Sequence, residues 1–565
     1  MSESHDGKFV LSRRQFMGFG SAAAAVTMAS VSGCSPAEAP SENGSTVEAE
    51  TKCPGVGSSA WIGEDPEIAE EDISAAVNTD VIVVGCGIAG SVAAAAALDS
   101  GASVTVLDKG VTNHIGGPAC SMLNSKFQLD QGLDQYDPIQ MLYELVRQSN
   151  FTANTSLVAL WAFHSGEVLD WLIEHVIKPD PTGGGQLDKP VYVTAFREQS
   201  PDPEICLFRN TGVYFGTQDV PSNMGDWLTL LHHFITANGG DIRFQMKVVK
   251  ILQDDTGNVV GVIAQGADGK YTRYTAAKGV VMASGSFGSN SEMCNTFLKP
   301  KIAKMFATNN IGGVFMPEAP AEPLDNGEGH QMMCRIGAAM EQYPNPHNEY
   351  AQATIMGVPF LAVNQAGLRF VNEAQSMLCY ADLLCEQPGD DLTYWAIIPD
   401  DYATSGLGST NVAVDETGDP VNPFSDEQYQ LLQGGPKADS IEELAEVIGV
   451  APDVLTATVD RYNELCAAGL DEDFGKLAKY MKPVKTGPFY ADRQVMYCCV
   501  TMGGVRCNAK LQVLGSDGLP IPGLYAAGNT VGQRFGAGYE GSFGGMTNAY
   551  GTVHGYFAGR NVAAR

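Results

Sequence analysis

The sequence predicts an α/β protein organised around a Rossmann-like parallel sheet, and three adjacent observations predict it. Asp80 to Val84 (DVIVV) is a short, continuously apolar run of the kind a strand buried on both faces requires. Gly85-Cys86-Gly87-Ile88-Ala89-Gly90 follows directly and opens an Ala-rich helical stretch, Ser91 to Leu98. A second apolar strand, Ser103 to Leu107, then ends on Asp108, 18 residues beyond Gly90. In this register the glycines have separate tasks. Gly85 makes the tight turn, Gly87 lets the backbone approach a pyrophosphate, and Gly90 lets helix pack on strand. The helix N-terminus turns its positive end to the phosphates and Asp108 meets the ribose hydroxyls, so the unit binds a dinucleotide.

What precedes this unit is an address. Ser12-Arg13-Arg14-Gln15-Phe16-Met17 is a twin-arginine export signal, followed by an Ala-rich stretch from Gly18 to Val31 that is too short to span a membrane comfortably. Val31-Ser32-Gly33-Cys34 resembles a lipobox, in which Cys34 carries lipid and becomes the mature N-terminus; Ala37-Glu38-Ala39 is a competing cleavage site. The signal peptide thus covers 1–34. Residues 35–77, rich in Ser, Pro, Glu and Gly, read as a flexible tether.

Composition narrows the chemistry. The 565 residues carry 65 acidic and 34 basic side chains, a formal net charge of -31, which argues against nucleic acid because phosphate neutralisation needs clustered Lys and Arg. The acidity suits an extracytoplasmic protein or a basic redox partner, and equally serves plain solubility. None of the 13 Cys falls in a C-x-x-C, so there is no haem-attachment or ferredoxin-type run, and no metal site is expected. Any redox work then falls to the dinucleotide. Several further Gly-rich blocks indicate FAD rather than NAD: Gly116-Gly117-Pro118, the strand Gly279 to Met282 ending in Ala283-Ser284-Gly285, Asp325-Asn326-Gly327-Glu328-Gly329, and Gly523 to Asn529.

Taken in order from about Asn78 to the C-terminus, these blocks resemble the fumarate reductase and succinate dehydrogenase flavoproteins, the FAD-dependent oxidoreductase 2 type, in their soluble exported branch. The resemblance implies a Rossmann-like FAD-binding domain split in sequence into 78–335 and 487–565, with an α+β substrate cap, 336–486, inserted between. It implies that Gly85, Gly87, Ile88, Ala89, Gly90, Asp108 and Lys109 hold the adenylate end, and that Val248 faces the adenine through its backbone. Ser284 and Gly285 belong to the same cradle. Gly116 and Gly117 would lie near the isoalloxazine, Gly528 and Asn529 at the ribityl chain, and Ser542 and Phe543 would offer backbone N–H groups to the pyrimidine edge. Membrane-bound members tether FAD to a His, but the spacing of His114 does not match, so FAD is expected to be non-covalent.

The expected chemistry departs from that family's dicarboxylate enzymes at three positions. The cap motif Gly367-Leu368-Arg369-Phe370-Val371-Asn372-Glu373 is recognisable, but the acid Arg falls on Met377. The substrate His before Met502-Gly503-Gly504 falls near Cys499 or Val500, and the C-terminal Arg falls on Tyr539. A small dianion needs charged donors to offset its desolvation, so fumarate or succinate is disfavoured. Gly528-Asn529 followed by Tyr539-Glu540-Gly541 instead resembles the 3-ketosteroid dehydrogenases, where this Tyr donates to a ketone oxygen and the amide of Phe543 would be the second donor. Tyr380, three residues past Met377, is the candidate proton donor; Tyr343, His347, Glu349 and Tyr497 are others. The expectation is an exported reductase of an activated C=C bond, an enone or aryl-enoate. Its electrons would come from a separate cytochrome or quinol-linked membrane donor, as in relatives that use urocanate in anaerobic respiration. The reverse, steroid-type dehydrogenation and a flavin electron shuttle without a small substrate stand as alternatives.

Overall fold

The computed structural model describes residues 59–111, 119–195, 211–220, 223–308, 325–355, 358–375, 380–404, 426–536, 538–539 and 545–565. The export signal, most of the tether, Met377 and four expected flavin contacts (Gly116, Gly117, Ser542, Phe543) lie outside the described residues. All the described residues belong to one compact unit, Pro54–Arg565.

The main sheet begins with β1 (Ile73–Val84) and β2 (Val104–Leu107), which run parallel with Val81 to Val84 opposite Val104 to Leu107. The helix Ile88–Asp99 joins them, and every residue from Ile88 to Ala97 is buried, which is why its sequence is Ala-rich and lacks an amphipathic stripe. A small antiparallel sheet follows, in which β5 (Gly212–Gly216) lies between β3 (Ala119–Ser121) and β4 (Tyr192–Ala195). The chain then returns to the main sheet. There β6 (Asp241–Arg243) extends β2, while β7 (Met246–Gln253) and β8 (Val259–Gly266) lead antiparallel into β9 (Tyr271–Met282), which lies parallel to β1.

A second, antiparallel sheet interrupts the first. It comprises β10 (His347–Gln352), β11 (Leu361–Val363), β12 (Thr393–Ile398), β13 (Lys437–Ala438) and β14 (Phe489–Thr501), with β14 between β10 and β12. The expected domain break at 487 falls two residues before β14, whose every partner is in this inserted sheet. By strand pairing the chain rejoins the main sheet only at β15 (Gln512–Leu514) and β16 (Pro520–Ala526), the latter parallel to β9. The last helix, Met546–Ala563, covers the first: side chains at Gly555 and Gly559 would collide with the Ala89 and Ala93 carbonyls, so glycine lets the two backbones touch. No helix among the described residues is long and apolar enough to cross a membrane.

The inserted part has an ionic core. Arg369 donates from Nε to Glu373 Oε1 and from Nη2 to Oε2, both at 2.9 Å, and reaches Asp471 from Nη1 at 3.0 Å and Nη2 at 2.8 Å. Lys476 Nζ sits 3.2 Å from Glu373 Oε2 and donates to the Tyr462 hydroxyl and the Pro359 carbonyl. The motif that the sequence singled out beside a substrate acid is therefore, from Arg369 to Glu373, the charged pin of the inserted part's own fold.

Candidate functional site

The Gly-rich turn sits where β1, β2 and β9 end together. Gly85 adopts φ 102°, a conformation open to glycine, and a side chain there would meet the Ala283 carbonyl. A Cβ on Gly90 would run into the Gly85 carbonyl oxygen. Asp108, at the tip of β2, accepts the Cys86 and Gly110 amides at 2.7 Å each, which fixes its carboxylate against the turn. His232 lies beneath, its Nε2 3.0 Å from Cys86 Sγ and 3.1 Å from Ser91 Oγ, and burial pushes it below the usual His range. Lys109 donates to Asn326 at 2.9 Å and to Glu328 at 2.8 Å, and Lys247 reaches the other Glu328 oxygen at 2.7 Å. Burial pushes the Glu328 carboxyl up, but these two ammonium groups outweigh it and hold it below its usual range.

The remaining adenylate and ribityl candidates converge on this turn. Val248 is buried in β7, whose ladder with β8 slips between Val248 and Lys250, as a bulge does. Gly528, at φ 69°, lies against the turn, for a Cβ on it would be 2.8 Å from Ala89 Cβ; Thr530 Oγ1 donates to the Gly285 carbonyl at 3.3 Å. The Ser284 hydroxyl is buried and has no hydrogen-bond partner among the described residues. A backbone cradle that side chains would fill, an acid at its edge and an orphaned hydroxyl fit the diphosphate and ribose of FAD. Gly90→Ala should accordingly lower the flavin-to-protein ratio of the purified protein and cost about 1–3 kcal/mol of stability, since the obstructing atom is backbone. Full flavin loading in that variant would contradict the packing role of Gly90.

Around the expected isoalloxazine the flanks of two undescribed stretches meet. Gly545, at φ 79°, caps the last helix; its carbonyl accepts the Ser121 amide at 3.4 Å, and Asn548 Nδ2 donates to the Ala119 carbonyl at 2.8 Å. The chain leaving 112–118 and the chain leaving 540–544 are thus bonded side by side at a helix N-terminus, where a reduced, anionic flavin would be favoured.

Next to the ribityl candidates lies a buried polar cluster around Tyr539 and Arg534. Tyr539 is 7% exposed, its ring 5.0 Å from Phe535 in a T-shaped pair, and Phe535 packs on Tyr550 at 5.1 Å. Arg534, 1% exposed, donates from Nε to the Val531 carbonyl at 2.7 Å and from Nη2 to the Met502 carbonyl and Asn529 Oδ1, both at 3.1 Å. Its Nη1 has no hydrogen-bond partner among the described residues. Glu341 Oε2 accepts the Gln533 amide at 2.8 Å, and the Gln533 carbonyl accepts the Asn154 amide at 2.7 Å, so the 529–536 turn is braced from two sides. Burial pushes Glu341 up to about 7 and Arg534 down to about 10, because desolvation exceeds their mutual attraction. His330 and His554, both fully buried, are pushed down to about 4 and about 3 by the same cause and are neutral at pH 7. No local spacing could have joined Glu341 to Arg534.

Because the folded carboxyl of Glu341 binds its proton more tightly than an unfolded one, its contribution to stability is fully present below about pH 4.5 and is lost as pH rises to about 7. Glu341→Gln should flatten that segment of a melting-temperature profile by roughly 3 kcal/mol. An unchanged pH slope in the variant would contradict the assignment.

Tyr380 is placed apart from Tyr539. It is 4% exposed and packs 5.3 Å from Tyr394 and 6.1 Å from Phe370 in an apolar cluster shared by the inserted part and the helices Ser291–Phe297 and Pro300–Thr308, whereas Tyr539 belongs to the main-sheet core. It lines a small cavity in the inserted part with Gln375, Tyr394 and Gln494. The buried His347–Glu349 pair, 2.6 Å apart, anchors the start of its helix: Glu349 Oε1 accepts the Ala381 amide at 2.7 Å. Of the other acid candidates, Tyr497 lies on β14 opposite Tyr350.

Comparison with known proteins points to the same cofactor. The family model described as FAD binding domain matches residues 80–545. The chain is 29% identical to digoxin reductase of Eggerthella lenta, over 94% of this chain and 93% of that one. It is 26% identical to a fumarate reductase (cytochrome) of Shewanella frigidimarina, over 84% of this chain and 75% of that one. In structure it is similar to 3-ketosteroid-Δ4-(5α)-dehydrogenase from Rhodococcus jostii RHA1, with a TM-score of 0.65 at 21% identity over 89% of this chain and 100% of the other, a likeness of fold.

Proposed function

The chain belongs to the FAD-binding domain family, among its fumarate reductase-like flavoproteins, and from that premise we propose that it reduces the activated C=C bond of an enone or aryl-enoate rather than a dicarboxylate. It is an FAD-dependent oxidoreductase acting on CH–CH bonds. The observation that carries the substrate class is a buried tyrosine, Tyr539, at the position where a dicarboxylate enzyme needs a cation.

FAD, when bound and reduced, supplies the hydride that goes to the β-carbon of the alkene. The chain's own residues do the rest. Tyr539 donates a hydrogen bond to the carbonyl oxygen, which gains negative charge as the β-carbon is reduced; the Phe543 amide is the proposed second donor. Tyr380 is the proposed donor of the proton that the α-carbon takes to complete the reduction, a role that requires it to leave its packing against Tyr394 and Phe370. The cap excludes water, so each of these interactions acts in a low-dielectric site.

Export by the twin-arginine signal, an anchor on Cys34, and electron supply from a cytochrome or quinol-linked donor complete the proposal. The net charge of -31 favours a donor with a basic docking face. Anaerobic reduction of the flavin, followed by reoxidation with a panel of fumarate, urocanate, cinnamates and cyclic or steroidal enones, tests the reading. Rapid reoxidation by enones or cinnamates is expected. Turnover of fumarate would return the chain to the dicarboxylate class, and no reoxidation by any compound would favour the electron-shuttle alternative.

A further inference from the structure

The buried guanidinium beside Tyr539 has no task in the reaction as written. Arg534 precedes Tyr539 by five residues and lies over the Phe535 ring at 5.2 Å, and that ring packs 5.0 Å from Tyr539 and 5.1 Å from Tyr550. Each hydrogen bond it makes goes to the turn, to Met502 or to Asn529, and one nitrogen, Nη1, makes none among the described residues. A cation fully removed from water and incompletely hydrogen-bonded is costly, so its retention needs a reason beyond packing. The other ionisable groups close to it are Glu341, Cys507, His330 and His554. Both histidines are neutral and Cys507 is a buried thiol, which leaves Glu341 as the counter-charge. Glu341 touches the turn at Gln533, one residue from Arg534, yet lies in no ion pair within 4 Å with it among the described residues.

We propose that Arg534 is a positioning residue whose fixed charge makes Tyr539 a stronger hydrogen-bond donor, with Glu341 as the opposing charge that sets how far. The proposal deepens the reading of Tyr539 as the carbonyl's donor and rests on it for its catalytic meaning, but its physical content is a statement about the phenol alone. A cation held in low dielectric favours charge on a neighbouring phenolic oxygen, and a carboxylate disfavours it. The donor strength of the site is then written in two residues that need not touch substrate.

The test measures the phenol directly. The FAD-loaded protein is labelled with [ζ-13C]tyrosine, and the Tyr539 resonance is assigned by its loss in Tyr539→Phe. In Arg534→Gln the ionisation of Tyr539 should move to higher pH, by roughly tenfold or more in its ionisation constant. In Glu341→Gln it should move the opposite way, and Arg534→Lys should restore most of the native value. The double variant Arg534→Gln/Glu341→Gln, which buries no net charge, guards against misfolding and should still titrate above the native protein. A shift of the same sign in both single variants, or none in Arg534→Gln and the double variant, would overturn the proposal. This outcome is separate from the reoxidation panel, whose failure would refute the C=C reading while leaving the titration intact.

Discussion

Tyr539→Phe should lower the rate of flavin reoxidation by an enone by about 10²- to 10³-fold, the range expected when one donor of an oxyanion site is removed. The substitution deletes a single oxygen from a side chain that is 7% exposed and whose ring packs against Phe535, so the core contact survives. Flavin content and melting temperature should stay close to native, because neither the glycine cradle nor the braces on the 529–536 turn involve the phenol in the interactions that define them. The loss should fall on kcat more than on KM, since the hydrogen bond strengthens only as charge develops on the oxygen. Stopped-flow reoxidation with a cyclic enone separates the two. A variant within threefold of native would remove Tyr539 from the chemistry and leave the aromatic packing as its whole role.

The parts of this fold that were legible in the sequence are those where backbone geometry leaves a short-range mark. Gly85, Gly90 and Asp108 could be assigned because a tight turn, a helix–strand contact and a strand tip each dictate a residue at fixed spacing, and the structure assembles all three at one sheet edge. Gly528 and Asn529 came from the family resemblance alone; in the structure Gly528 lies against Ala89. What escaped was held by partners distant in the chain. Lys109, expected at the cofactor, meets Lys247 on Glu328, and Glu341 braces the turn that carries Arg534; no local spacing announces either pairing. The strand that follows residue 487 shows a related effect: β14 is apolar enough for either sheet, and its pairing with β10, β12 and β13 assigns it. The cap motif was visible, but its meaning was not, because Asp471 and Lys476 lie about a hundred residues downstream of Arg369.

That motif yields the largest expected loss of stability. Arg369→Ala should destabilise the protein by about 3–5 kcal/mol, the usual consequence of stripping one partner from a buried ionic cluster. The guanidinium makes four hydrogen bonds to Glu373 and Asp471 and lies between the Tyr462 ring at 5.0 Å and the Phe474 ring at 4.8 Å. Without it Glu373 keeps the Lys476 ammonium while Asp471 is left with backbone amides, and a void opens between the rings. Burial pushes the Asp471 carboxyl up, yet Arg369 and the backbone amides around it prevail and hold it at about 2. Its stabilising effect is therefore present above the unfolded value near 3.8 and lost as pH falls toward 2. In Arg369→Ala that carboxyl should rise, and acid unfolding should begin at higher pH. Arg369→Lys keeps the charge but not the forked geometry and should recover only part of the loss. The damage should stay in the cap: hydrogen exchange should accelerate in β11 and in the helix Pro452–Ala468, while β1, β9 and the bound flavin remain protected. Equal acceleration in the main sheet would mean that the cluster supports the whole molecule, and a loss below about 1 kcal/mol would mean that the desolvation of these charges already cancels their attraction.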